Sequence, residues 1–522
     1  MATAQKTITL TPVERLIRDF VIQGSEHCPG LQIWIAGGWI RDRLLGIPSS
    51  DIDLALSNLT GRQFGTFLET FSSKPEIVAK YSSRVAELNL PHKTVKCSII
   101  DQNSEKAKPL ETARVTLFGL KIDLVNLRKE VYSKHCRTPE MQFGTLEEDA
   151  LRRDATVNAL LFDLKTQQVV DFTGGLADLD TKVMRTPMDP RITFLEDPLR
   201  VLRLIRIAGK LGFSIDPETQ RCMAADDIRH ALDAMVDRDR INIELFKMIR
   251  EPQPIISFQR LFDCSLFVPL FIRFDSPVLH QIQIHFPVSE LPWPAAWKHS
   301  YTLLEQLLEN TEHIGSMVRQ ERNTDHLWIM TAYTPMAVLR ETMLNEVVQD
   351  ATHAIRATAK ITKLLERTLK NFNSIQDSVD AVAAAPETIP KSKVGMAIRS
   401  WGEEWTTQVT YVLLALTAQA KNASETVRAD EIKPAATDDI LDRFKRFARF
   451  VFEYKLQFAH LERPLLDGND ILGIFELKEG GRFLKDAIDG LIAWKFDNED
   501  ATPEKATAWL LRQRDNLGIP QG

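Results

Sequence analysis

The sequence predicts an α/β head followed by a long all-helical body. Strand and helix signals alternate up to about residue 165. Past residue 190 strand signals nearly vanish, and apolar residues recur at helical spacing. With 522 residues, 44% of them hydrophobic and 26% charged, the chain has the composition of a globular protein of three or four structural units. Ile33–Ala36 reads as a buried strand, and Gly37-Gly38 as a tight turn that a side chain would obstruct. Trp39–Leu45 has helical character, which Gly46 ends. Asp51 and Asp53 fall at i and i+2 on a second short strand, so both point to one face. Val115–Gly119 and Lys121–Leu127 read as strands, Leu160–Phe172 as a hairpin, and 101–113 as a polar mobile loop. Helices are predicted over Pro198–Leu211, Ile241–Ile249, Trp297–Leu308, Met336–Val348 and Thr352–Leu369, and again after about Asp430. Ala381–Pro390 and Asn422–Thr437 are the linker candidates.

Two aspartates side by side repel each other, and such pairs usually persist because a hard cation such as Mg²⁺ neutralises them. A lone Asp-x-Asp is most often solvated surface, and a lone Gly-Gly most often a turn. Together, twelve residues apart, they suit nucleotidyl transfer: Gly37 and Gly38 bring backbone N–H groups near a triphosphate, and Asp51 and Asp53 hold two metals for in-line displacement. Arg41 and Arg43, on the helix between, would meet phosphates.

Other constellations extend this reading. Asp123 is an acid within an apolar strand, either a third metal-side carboxylate or a surface residue. In LRRDATVNA, Arg152 and Arg153 would serve triphosphate oxygens and Asp154 a ribose hydroxyl, or the three would pair among themselves. DFTGGLADL, from Asp171, is a glycine turn suited to a hinge or a plain connector. In EDPLRVLRLIR, Asp197, Arg200 and Arg203 follow at spacings of three, offering donors and acceptors to a base edge or forming an i,i+3 salt bridge. Asp237 in VDRDRINIE reads as a structural N-cap. Arg356, Lys360, Lys363, Arg367 and Lys370 recur on one helical face, a solvated stripe or a contact to an RNA backbone, with a second basic cluster at Arg443, Lys445, Arg446 and Arg449.

Several classes are excluded. No apolar run reaches the length of a membrane span, and a net charge of −6 argues against wholesale polyanion binding. The five cysteines (Cys28, Cys97, Cys136, Cys222, Cys264) form no CxxC pair, and the eleven histidines show no ligand spacing, so structural zinc is not expected. The first twelve residues are a feeble targeting signal.

In order, GGWIRDRLLGIPSSDID, LRRDATVNA, DFTGGLADL, EDPLRVLRLIR and VDRDRINIE resemble the five motifs of class II tRNA nucleotidyltransferases, the CCA-adding enzymes. FGTLEEDALRRDATVNAL and the late LLDGNDILGIFELKEGGRFLKDAIDGLIAWKFDN resemble the eukaryotic, fungal-type members. The resemblance implies a polymerase-β-like nucleotidyltransferase head over 1–165, a neck over 166–255, a helical body over 256–430 and a tRNA-binding tail over 431–522. It also implies template-independent addition of CCA from CTP and ATP with release of pyrophosphate. Asp51 and Asp53 would be metal ligands for two Mg²⁺, and Asp123 a candidate third carboxylate. Arg152, Arg153 and Asp154 would support the nucleotide. Asp197 and Arg200 would pair with the incoming base, and body and tail would hold the acceptor end and TΨC arm of tRNA. Rival readings are a CC- or A-adding enzyme of the same family, a poly(A) polymerase-like enzyme, and a non-catalytic tRNA-binding protein. A monomer or weak dimer in the cytoplasm, with nucleus and mitochondrion as further compartments, completes the expectation.

Overall fold

The computed structural model describes residues 6–520 apart from 50, 91–96, 101–112, 132–139, 286–294, 321–323 and 427–436. It divides into two compact units, Met1–Val236 and Asp237–Gly522.

In the first unit, Thr11 and Glu14 cap each other's backbone N–H groups and start α1 (Pro12–Ser25), with proline in the first turn. Strand β1 (Ile33–Ala36) leads through α2 (Gly38–Leu44) to β2 (Ile52–Leu56), then α3 (Gly61–Ser72) and α4 (Pro75–Glu87). Strands β3 (Cys97–Ile100), β4 (Ala113–Leu117) and β5 (Leu120–Asn126) follow, then a separate two-stranded ribbon of β6 (Arg128–Val131) and β7 (Glu140–Phe143). After α5 (Leu146–Leu151) come β8 (Leu161–Asp163) and β9 (Val169–Val170). The main sheet has seven strands in the order β3-β4-β5-β2-β1-β8-β9. Within this sheet, among the described residues, β2 and β5 pair in parallel and the other neighbours are antiparallel.

Strand alternation gives the sheet two unlike faces. Ile33, Ile35, Leu54, Ile122 and Leu124 enter the main core with α1, α3 and α4, where Phe20 meets Phe71, Tyr81 and Phe118 edge-on. The opposite face holds a small apolar cluster centred on Trp34, Ala36, Ala55 and Leu161, which leaves room for polar groups beside it. Three short helices complete the segment that concerns the site: α6 (Gly175–Thr181), α7 (Pro190–Glu196) and α8 (Leu199–Leu211).

The second unit is helical throughout its described residues. A helix over Ala359–Ala384 packs against those over Trp405–Thr426 and Thr437–Glu453. Phe258, Phe267, Trp297, Tyr301 and Trp328 form an aromatic knot elsewhere in the unit. No helix among the described residues is long and apolar enough to cross a membrane.

Several boundaries differ from the sequence expectation. Asp51 precedes β2 instead of lying within it. The segment expected as one helix over Met336–Val348 is a 3₁₀ turn, Thr334–Leu339, followed by a helix over Leu344–Ala354. The helix expected over Thr352–Leu369 is broken at Ile355–Thr358, because Arg356 takes a left-handed conformation (φ 49°) that an α-helix cannot contain. Helices extend into both expected linkers, to Ala384 and to Thr426. The expected loop 101–113 lies outside the described residues except for Ala113, which opens β4.

Candidate active site

Strand register builds the centre of the site. Asp53 lies opposite Ala36 on β1 and opposite Asp123 on β5, and Asp123 lies opposite Arg114 on β4. These residues therefore form one row across four strands on the face away from the main core. Arg114 grips Asp123 with two parallel hydrogen bonds, Nε to Oδ1 at 2.6 Å and Nη2 to Oδ2 at 2.7 Å. Asp51 is exposed just ahead of β2. Burial, then the neighbouring charges of Asp123 and Asp51, push the Asp53 carboxyl up to about 6, against the opposing pull of Arg153 and Arg114.

Gly37, between β1 and α2, has φ 81° and lies against both the Asp53 carboxylate and the Arg153 guanidinium; a Cβ there would stand 3.5 Å from each. A Cβ would make only ordinary contacts there, so it is the positive φ that calls for glycine. Helix α2 is anchored from the far side by Glu14, which accepts from the Trp39 indole at 3.1 Å and pairs with Arg43 at 3.3 Å. Arg43 also donates to the Thr9 carbonyl at 2.8 Å, so its guanidinium braces α2 against the chain start. Arg41 is buried and donates to Asp42 at 2.7 Å and to Asn158 Oδ1 at 2.6 Å. A cleft of about 340 Å³ opens here, lined by Gly38, Arg41, Asp42, Asp51, Asp53 and Lys210 among others.

Asn158 continues the network. Its Nδ2 donates to Asp154 Oδ1 at 3.0 Å, and Asp154 Oδ2 accepts from Arg203 Nε, on α8, at 2.7 Å. Burial alone would raise the Asp154 carboxyl, but Arg203 and Asn158 hold it below the usual range. The residues read for nucleotide support thus connect with the helix read for base selection. Arg200, buried at the start of that helix, donates to the Thr193 carbonyl and pairs with Glu196, both at 3.3 Å. Asp197 joins α7 to α8 and accepts from Leu199 N at 3.3 Å.

Arg152 and Arg153 converge on Asp149, a fully buried acid on α5. Asp149 accepts Arg152 Nε at 3.0 Å, Arg152 Nη2, and Arg153 Nε and Nη2 at 3.2 and 2.8 Å. Burial would raise its carboxyl; Arg153 and Arg152 outweigh that and hold it low. Arg153 then spans from Asp149 to the Gly37 turn, whereas Arg152 turns to the Arg128 carbonyl at 2.9 Å.

Asp149, Asn158, Arg114 and Lys210 were missed by sequence reasoning. The i,i+3 and i,i+4 spacing of Asp149 to the two arginines was an available signal.

The basic stripe lies in the second unit. Lys360, Lys363, Arg367 and Lys370 share the exposed face of the Ala359–Ala384 helix, and Arg356 precedes the helix. Glu404 stands 3.9 Å from Lys360 and 3.6 Å from Arg367, and Glu366 pairs with Lys370 at 2.6 Å. The second cluster is bound in ion pairs, Arg443 to Asp380, Lys445 to Glu312 and Arg446 to Asp442.

Residues 33–185, which contain the whole carboxylate row, match the Poly A polymerase head domain family. Across 99% of this chain and 94% of its own length, the nucleotidyltransferase lcsQ of Purpureocillium lilacinum is 34% identical. The mitochondrial CCA tRNA nucleotidyltransferase of Saccharomyces cerevisiae is 31% identical over 96% of this chain and 93% of its own length. Among solved structures, the CCA-adding enzyme of Thermotoga maritima in complex with tRNA superposes with a TM-score of 0.61 at 17% identity, covering 98% of this chain and 99% of that one. At that identity the likeness is one of fold.

Proposed function

This chain belongs to the fungal CCA tRNA nucleotidyltransferase family, and on that premise we propose that the acidic row on β2 and β5 carries the addition of the 3′-terminal CCA to tRNA. The tRNA 3′-hydroxyl attacks the α-phosphate of CTP or ATP, and pyrophosphate leaves. The carrying observation is the acidic row itself: Asp53 and Asp123 stand opposite each other on paired strands, with Asp51 just ahead and an open cleft beside them, a crowding of like charge that a cation would relieve.

The donor set fits Mg²⁺. Asp51 and Asp53 supply hard oxygens beside an open cleft, and Mg²⁺ is commonly held by one or two carboxylates with substrate phosphates completing the shell. Among the described residues no three His, Cys, Asp or Glu side chains converge as a ready-made cage. Bound there, Mg²⁺ would lower the pKa of the attacking hydroxyl and stabilise charge on the phosphate oxygens. The chain's own groups do the rest. Gly37 makes the positive-φ turn beside Asp53, Arg153 brings positive charge to the same turn, and Arg203 holds Asp154 in place for the ribose. Asp197 and Arg200, at the α7–α8 junction, would read the base by hydrogen bonds, and the Lys360–Lys370 face would hold the RNA backbone.

Asp123 stands as the candidate third carboxylate, gripped by Arg114. In Arg114→Ala, Asp123 faces Asp53 without a counter-charge. The metal-free variant melts below the parent, by about 1 kcal/mol or less because the pair is partly exposed, and Mg²⁺ closes the gap. Thermal melts with and without Mg²⁺ check this; a gap that Mg²⁺ leaves unchanged counts against it.

The deciding experiment offers pure protein tRNA lacking its 3′ end, then tRNA ending in CC, with CTP and ATP singly and together. Three added nucleotides, two C then one A, support the reading. Stopping at CC, or adding A only to the CC-ended substrate, assigns a partial activity; a long ladder assigns a poly(A)-type activity. For location, we propose cytoplasm, nucleus and mitochondrion, the last supported by the yeast relative's mitochondrial name.

A further inference from the structure

Helix α8 presents one polar stripe. Of its thirteen residues, most are buried; Arg203, Arg206 and Leu211 are half-buried, and Lys210 is exposed. Arg203, Arg206 and Lys210 stand at i, i+3 and i+7, so they share a face. The two ends of that face are fixed by contacts. Arg203 is bonded to Asp154, and Lys210, about 10 Å farther along the axis, lines the cleft with Asp51 and Asp53.

Two basic side chains line that cleft, and they differ in kind. Arg41 is buried and committed to Asp42 and Asn158. Lys210 has no hydrogen-bond or ion-pair partner among the described residues. An exposed lysine opposite a carboxylate pair has an ammonium that can turn freely toward an anion arriving with its cations. Asp51 and Asp53 do not already neutralise it by direct contact, so its charge is available once divalent ions satisfy them.

The geometry points to Lys210 as the cation that receives the phosphoanhydride tail of the incoming nucleotide and then the departing pyrophosphate. This rests on the proposed function, because it takes Asp51 and Asp53 as the reaction centre. It adds a second duty to α8: the end near Arg200 and Arg203 attends to base and ribose, and the far end attends to the phosphates. Base and triphosphate are then registered on one rigid element, and a base misplaced at one end is a triphosphate misplaced at the other.

The test is equilibrium binding to the full chain in Mg²⁺, comparing the parent with Lys210→Ala, Lys210→Arg and Lys210→Glu. The probes are a non-hydrolysable CTP analogue, its ATP counterpart, inorganic pyrophosphate and cytidine. In Lys210→Ala, both triphosphate analogues and pyrophosphate bind about tenfold more weakly, as for one lost charge-assisted hydrogen bond. Cytidine binding and the melting temperature stay at parent values, Lys210→Arg recovers most of the loss, and Lys210→Glu weakens all three anions further. In steady state the KM for CTP and for ATP rise together while the KM for tRNA holds. Pyrophosphate binding as tight in Lys210→Ala as in the parent overturns the inference, and so does an equal loss for cytidine, which marks a structural role. If the parent extends no tRNA, the proposed function fails, and the pyrophosphate comparison still decides Lys210.

Discussion

Asp53→Asn should abolish nucleotide addition, on the order of a thousandfold or more in kcat, and yet give a more stable metal-free protein above pH 6. Both effects come from one environment. Asparagine keeps the shape but gives up the charge that a divalent ion needs. In the parent, the Asp53 carboxyl is pushed from the usual aspartate value of about 3.9 up to about 6. Below pH 4 the carboxyl is protonated in folded and unfolded chains alike and contributes nothing. Between about 4 and 6 the unfolded chain ionises while the folded one keeps its proton, so stability falls as pH rises. Above 6 both are ionised and the full penalty, on the order of 3 kcal/mol, stands. The asparagine variant escapes it. Melts in EDTA should therefore show a gain for Asp53→Asn that is absent below pH 4, about half developed at pH 5 and largest at pH 8, and Mg²⁺ should stabilise only the parent. A gain independent of pH would refute the account.

Asp149→Ala should be strongly destabilising. The alanine leaves Arg152 and Arg153 in a largely buried site without their shared anion, which typically costs about 3–5 kcal/mol. It also releases Arg153 from the orientation that carries it to the Gly37 turn, so surviving folded protein should add nucleotides slowly. Urea unfolding midpoints and single-turnover addition measure the two consequences separately. A variant within 1 kcal/mol of the parent would show that the arginines find other partners. Asp149→Asn, which retains one acceptor oxygen and loses the charge, should fall between.

The legible parts of the chain were those whose cause is local. Helix α8 was expected from Pro198 and occupies Leu199–Leu211, because proline fixes its start and Gly212, at φ 66°, its end. Asp53 could be read because alternation on β2 turns it away from Ile52 and Leu54, whereas Asp51, expected on the same strand, lies just ahead of it. What escaped depends on contacts between distant segments. Nothing near Arg114 in the chain says that β4 will lay it opposite Asp123. Three acids crowd the first turn of α5, and only packing against the ribbon decides that Asp149 turns inward while Glu147 faces water and Glu148 caps the Thr145 N–H. The break before the Ala359–Ala384 helix was hidden because Arg356 adopts a left-handed backbone without glycine or asparagine to announce it.

The parallel joint between β2 and β5 has a kinetic corollary. Strands running the same way cannot be linked by a tight turn, so the chain must loop out through α3, α4, β3 and β4 before β5 can return alongside β2. Closing so long an excursion is slow relative to local pairing. Asp53 and Asp123 are therefore brought face to face only at that closure. Nascent protein would acquire competence for chemistry only at the end of assembly of this sheet, and divalent ions should hasten that last step.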